Sequence, residues 1–71
     1  KVEVGQIYRH FTGKEVKILH IAEDTEAPGQ YFVVFECEGQ IWCKTYGLFL
    51  SKVDHNRYPD ISQEYCFELV E

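Results

Sequence analysis

Apolar residues in this chain come in short runs, separated by glycines or polar clusters, and most of the runs alternate with period two. Such alternation marks strands that turn one face inward. The first run is Ile7 to Phe11, preceded by Gly5 and closed by Thr12-Gly13. The second, Lys14 to Ala22, has Val16 and Ile18 in step, after which Leu19 and Ile21 continue on the other parity. A slip of phase inside one strand predicts a β-bulge or a sharp bend. Glu23 to Gln30 is polar and contains Pro28-Gly29, which marks a loop.

The segment "QYFVVFECE" reads as the strongest strand, with Tyr31, Val33, Phe35 and Cys37 on one parity and Phe32, Val34, Glu36 and Glu38 on the other. Gly39-Gln40 turns the chain and "IWCK" returns, which predicts a hairpin. Placing Cys37 opposite Cys43 gathers Phe35, Cys37, Ile41 and Cys43 on one face. It pairs Glu36 with Lys44 and Glu38 with Trp42 on the other. A one-residue slip would carry Lys44 to the side of Phe35, so the first register is the expected one. On that parity Cys37 and Cys43 are expected to be buried and reduced.

"TYGLFLSKV" breaks the alternation: Thr45 is placed to cap a single helical or 3-10 turn, and Leu48 to Val53 returns toward extended structure. "DHNRYPD" reads as a loop and "YCFELV" as the final strand. No stretch supports a long amphipathic helix. Five to six short strands and one short helical turn predict a mainly β single domain over residues 1–71. The expected architecture is a small, strongly bent antiparallel barrel of the SH3-like kind, with an open β-meander as the alternative.

Size sharpens this picture. A domain of 71 residues is marginal, because chains this small bury only about 60% of their unfolded surface. Five Tyr, five Phe and one Trp supply the compensation, since each large ring buries roughly 150–250 Å². That suffices for one core and leaves little room for a deep enclosed active site. The net charge of -5 and the lack of any basic run argue against nucleic acid as the main partner. No apolar run is long enough to span a membrane, and no signal-peptide pattern opens the sequence. Three cysteines, Cys37, Cys43 and Cys66, are an odd number with no C-x-x-C pair, which suits free thiols in a reducing cytoplasm better than a disulfide scaffold.

Candidate chemistry centres on Tyr8, Arg9 and His10. In a strand Tyr8 and His10 face one way, and Ile7, Arg9 and Phe11 the other. Ile7 and Phe11 form the expected core pair, with Arg9 beside them as a structural residue reaching an acid such as Glu36. Tyr8 and His10 are then the surface pair, and with Trp42 and Lys44 they form an aromatic-plus-basic candidate binding face, with Arg9 near one end. That face suits a planar or anionic small ligand, a peptide or a partner protein. The favoured reading is therefore a binding module. One alternative is an enzyme or accessory catalytic domain with His10 as general base. Another is RNA or nucleotide binding by stacking on Trp42 and Tyr8. No nucleophile signature accompanies the histidines or cysteines, and no residue is assigned a catalytic role. No cofactor is implied. Structural zinc sites pair ligands two to four residues apart, a spacing absent here, and "EDTEAPG" lacks a calcium-loop pattern. The windows "EVKILHIAED" and "YFVVFECE" have high β-propensity, so as exposed edges they would allow strand addition or a weak homodimer of an otherwise monomeric chain.

The segments "YRHFTGKEVKILHIA", "VVF" and "IWCKTYGLFLSKV" resemble a bacterial domain-of-unknown-function family. Its members open with Tyr-Arg-His, an aromatic residue and a glycine two residues later, and carry a later Leu-Trp-Val-Arg-Pro segment and a Met-Phe. The resemblance covers roughly Gly5 to Val53 and rests on Tyr8, Arg9, His10 and Gly13, with Trp42 and Phe49 at the family's mutual spacing. Lys44-Thr45 stands where the family has Arg-Pro, the loop histidine of its His-Ser-Glu-Thr segment is absent, and the hairpin before Trp42 is shorter. The resemblance implies a cytoplasmic, single-domain bacterial protein and no established activity.

Overall fold

In the computed structural model, which describes residues 1–71, the alternating runs form five strands: β1 (Ile7–His10), β2 (Glu15–Glu23), β3 (Tyr31–Cys37), β4 (Gln40–Thr45) and β5 (Phe67–Leu69). One short helix, α1 (Tyr46–Phe49), follows β4. The strands make one antiparallel sheet in the order β4-β3-β2-β1-β5. The first four are a meander, and the last returns across the molecule to pair with the first. No ladder joins β4 to β5, so hydrogen bonding leaves the sheet open. The expected extension of Leu48 to Val53 contributes only an isolated bridge between Lys52 and Tyr65.

The phase slip in β2 is a real irregularity: the register with β3 shifts between Ile18 and His20. Ile18 pairs with Phe35 before it, and Ile21 pairs with Val33 after it. The extra residue keeps Ile18 and Ile21 both packed with the core, which an unbroken strand would forbid. Thr45 is the N-cap of α1, as expected, but its side chain makes no capping hydrogen bond.

The hairpin forms three residues away from the expected register, on the parity that a one-residue slip would also have given. Phe35 lies opposite Trp42, Val33 opposite Lys44 and Glu36 opposite Ile41. Neither the Glu36–Lys44 pair nor the facing of Cys37 and Cys43 exists. The cause lies in the turn. Glu38 has φ 52° and Gly39 has φ 81°, so both central residues are left-handed and Cys37 closes directly on Gln40. That is a two-residue type I′ connection, favoured because its twist matches the strands. Glycine adopts it freely, whereas a glutamate there is not foreseeable from residue type. The shift moves Trp42 and Lys44 to the side of Phe35 and turns Cys43 out to solvent, while Cys37 is half-buried.

One face of the sheet carries the core: Tyr8, Val16, Ile18, Val33, Phe35 and Phe67, closed over by Val2 and Phe49. Phe49 is fully buried. Its ring stacks on Phe67 at 4.2 Å and meets Tyr8 edge-on at 5.2 Å. β1 is thus turned over relative to expectation. Tyr8, read as a surface residue, is buried, and its hydroxyl donates to Gln6 Oε1 at 3.2 Å. Arg9, read as packing with the core pair, is exposed and holds Glu15, not Glu36, at 2.9 Å. Ile7 and Phe11 are only half-buried. The aromatic cluster decides the matter, because only the Tyr8 side of β1 meets Phe49 and Phe67.

Candidate functional site

The β1–β2 and β3–β4 turns lie at the same end of the sheet, and between them the core face opens into a cleft of about 400 Å³. Val16, Phe35 and Phe67 form its floor. His10 stands on one wall and Trp42 on the other, with Cys37 beside the hairpin turn. Lys14, at the start of the second strand's approach, reaches across to Glu38 in the hairpin turn at 3.2 Å and straps the mouth. Both partners of that ion pair are well exposed.

His10 is the most constrained polar group of the site. Its ring sits edge-on to Phe67 at 4.8 Å and against Phe11 at 4.3 Å. The Thr12 backbone N–H donates to His10 Nδ1 at 3.2 Å, and the Thr12 hydroxyl lies 2.8 Å from the same nitrogen. A backbone N–H can only donate, so Nδ1 is unprotonated and the neutral ring carries its proton on Nε2. Burial lowers the His10 pKa below the ordinary histidine value, and the nearby Lys44 and Lys14 ammonium groups lower it further. His10 is therefore a neutral hydrogen-bond donor at physiological pH. A general base needs a free lone pair, and in this tautomer the only one is already engaged by Thr12.

Trp42 is about half exposed, at 48%, which leaves a ring face open to a visitor. Lys44 is half-buried on the same side of β4 and makes no ion pair within the protein. Of the five residues named from the sequence, the structure places His10 and Trp42 in the cleft, with Lys44 near His10 but outside the lining. It excludes two. Tyr8 shares their side of the sheet but is sealed in the core, so it is no stacking platform. Burial also raises its pKa, with Tyr46 and Glu3 adding to the effect. Arg9 is on the opposite side.

Thr12, Lys14, Cys37 and Glu38 belong to the site but were missed, because their proximity comes from which two turns share an end of the sheet. The signal available in advance was slight: Thr12 two residues after His10, in position to bind its ring. No group of three His, Cys, Asp or Glu side chains is placed to hold a metal ion. No helix is long and apolar enough to cross a membrane.

Comparison with known proteins agrees with the expectation of a domain of unknown function. Among curated proteins and among solved structures the chain has no match. A protein-family model does match, over residues 6–64, and its description is "Protein of unknown function (DUF1653)". That span takes in all of β1 to β4, α1 and every residue of the cleft except Phe67, and the chain therefore belongs to the DUF1653 family.

Proposed function

We propose that this domain is a binding module whose cleft takes a small planar carboxylate. The observation that carries the reading is the meeting of His10 and Trp42 across an apolar floor, with an unpaired, half-buried Lys44 outside the lining but near enough to His10 to lower its pKa. An aromatic wall and floor favour a flat, unsaturated body. Lys44 supplies one uncompensated positive charge, while the Lys14 charge is answered by Glu38. His10 Nε2–H adds one neutral donor. A single cation plus a single neutral donor suits a carboxylate. A phosphate carries more charge and is ordinarily met by arginine forks or a row of backbone N–H groups, neither of which borders this cleft.

Binding is favoured over catalysis because the single Nδ1 lone pair of His10 is shared between the Thr12 backbone N–H and hydroxyl, and no third group holds the imidazole as a nucleophile–base–orienter set requires. The three free thiols fit the bacterial cytoplasm that the sequence motifs suggest. We read the open sheet, with β5 folded back beside β1, as a variant of the SH3-like barrel in which the closing seam between β4 and β5 is not zipped.

The test is amide and indole chemical-shift mapping with benzoate, 2-naphthoate and inorganic phosphate as probes. The aromatic carboxylates are expected to shift the Trp42 indole N–H and the Thr12 and Glu38 amides, naphthoate more than benzoate. Lys44→Ala and Trp42→Ala should each weaken binding about tenfold, the effect of roughly 1.4 kcal/mol. Shifts confined to other surfaces, or phosphate binding as well as the carboxylates, would overturn the assignment.

A further inference from the structure

The sheet has two open edges of different character. The β5 edge is three residues long, and Glu64, Glu68 and Glu71 surround it. Short length and charge are the usual protections of an exposed strand. The β4 edge is six residues long. From Gln40 through Phe49 it and the following helix contain no acidic residue, in a chain with twelve. It has no proline and no bulge in its ladder with β3. Ile41, 65% exposed and the most exposed large apolar side chain of the molecule, lies on it beside exposed Cys43.

The direction of its free backbone groups follows from the turn. A two-residue hairpin closes on a hydrogen-bonded pair, here Cys37 and Gln40. Alternation then bonds Trp42 and Lys44 to β3 and turns the N–H and C=O groups of Ile41 and Cys43 outward. An incoming antiparallel strand would pair through those two residues.

We infer that the β4 edge is a self-association surface, at which a second copy of this chain adds its own β4 antiparallel across a two-fold axis at Cys43. The sequence is self-complementary about that point. With Cys43 opposite Cys43, Ile41 falls opposite Thr45 on the outer face of the sheet, apolar beside small and β-branched. Trp42 falls opposite Lys44 on the cleft face, an aromatic ring opposite a cation. Lys44 is the only charge on the strand, and in this register it never meets its own copy. The sheet becomes ten strands wide, and the exposed Ile41 and Cys43 side chains of the two copies form one continuous strip. Each cleft also gains the second copy's β4 as a neighbour. A basic or acidic peptide could add to the same edge, but nothing on the strand selects its sequence, whereas the two-fold register gives every residue from Ile41 to Thr45 a β4 partner.

The inference does not depend on ligand binding, because Cys43 faces away from the cleft. Sedimentation velocity of the full chain from micromolar to millimolar concentration should show a monomer passing to a dimer. A short bis-maleimide should cross-link two copies through Cys43, and Cys43→Ser should abolish the cross-link. Ile41→Cys in the Cys43→Ser background should cross-link poorly, since position 41 meets position 45. Cys43→Lys opposes two like charges at the axis. It should give a monomer with an unchanged melting temperature that still binds naphthoate. A chain that stays monomeric throughout overturns the inference. So does a dimer that survives Cys43→Lys, or one that cross-links through position 41 in preference to 43.

Discussion

Tyr8 and Arg9 are adjacent, yet the sheet gives them opposite environments, and mutation should expose the difference. Tyr8 is buried beneath Phe49, so Tyr8→Ala should cost about 3–5 kcal/mol, as for other buried aromatic rings cut to alanine. Arg9 holds Glu15 in solvent, so Arg9→Ala should cost only about 0.2–1 kcal/mol. Urea titrations of the two variants check the pair, and equal losses would contradict the burial. This inverts what β1 suggests when read alone. A four-residue strand offers two parities, and Ile7 with Phe11 looked like the better inward pair. Which parity wins is set by Phe49 and Phe67, far along the chain. His10 yields a second expectation. Its pKa is lowered in the fold by burial and by Lys44 and Lys14, so the unfolded chain takes up the proton first as pH falls. The stability that His10 contributes is present above about pH 6.5, the unperturbed value, and is lost as pH drops through the lower folded value. Urea midpoints of wild type and His10→Gln should therefore diverge below that pH, with wild type losing more. Parallel pH profiles would mean that His10 is not held neutral.

At the scale of elements, the hairpin and the β2 bulge show what a pattern reveals and what it hides. The bulge was legible because a phase slip is written in residue identity: Val16 and Ile18 on one parity, Leu19 and Ile21 on the other. The existence of β3 and β4 was legible for the same reason. Their register was not, because it turns on the conformation of Glu38, whose φ of 52° is disfavoured for a side-chain-bearing residue. The error inverted the reading of Cys43 and Lys44 together, since a shift of odd length exchanges the two faces. Substitutions at the turn should report this directly. Gly39→Ala should destabilise by about 1–2 kcal/mol, the cost of a left-handed residue with a Cβ. Glu38→Asn should be neutral or stabilising despite loss of the exposed ion pair to Lys14, because asparagine accepts that conformation and such ion pairs contribute little. Thermal melts in which Gly39→Ala matches wild type would be inconsistent with a type I′ turn.

For the molecule as a whole, one layer of sheet and a few covering side chains make up the core. Stability for a chain of this length is expected at about 4–11 kcal/mol. Phe49 alone touches Tyr8, Phe35 and Phe67, so Phe49→Ala, at about 3–5 kcal/mol, should remove much of it. Circular dichroism at 37 °C should show a substantially unfolded population, whereas Leu50→Ala, at a residue 43% exposed, should leave the spectrum unchanged. The candidate site was half legible at this scale. His10, Trp42 and Lys44 were named in advance because aromatic and basic residues on one parity are visible in a sequence. Lys14, Cys37 and Glu38 were not, because the shared end of two turns is a property of sheet order.

The return of β5 to β1 also has a consequence in time. Tyr8 pairs with Leu69 and His10 with Phe67, contacts that span nearly the whole chain, whereas β2, β3 and β4 are joined by short turns. Loop closure over such a distance is slow compared with hairpin formation. Of the five strands β1 is synthesised first, but its outer partner β5 is synthesised after the other four. The meander can therefore assemble locally while the Phe67 half of the aromatic stack is still missing. Phe49 has no ring to stack on until Phe67 arrives, so β5 acts as the bolt that completes the sheet. A chain released short of Phe67 would keep its β3–β4 hairpin but lose the floor beneath His10.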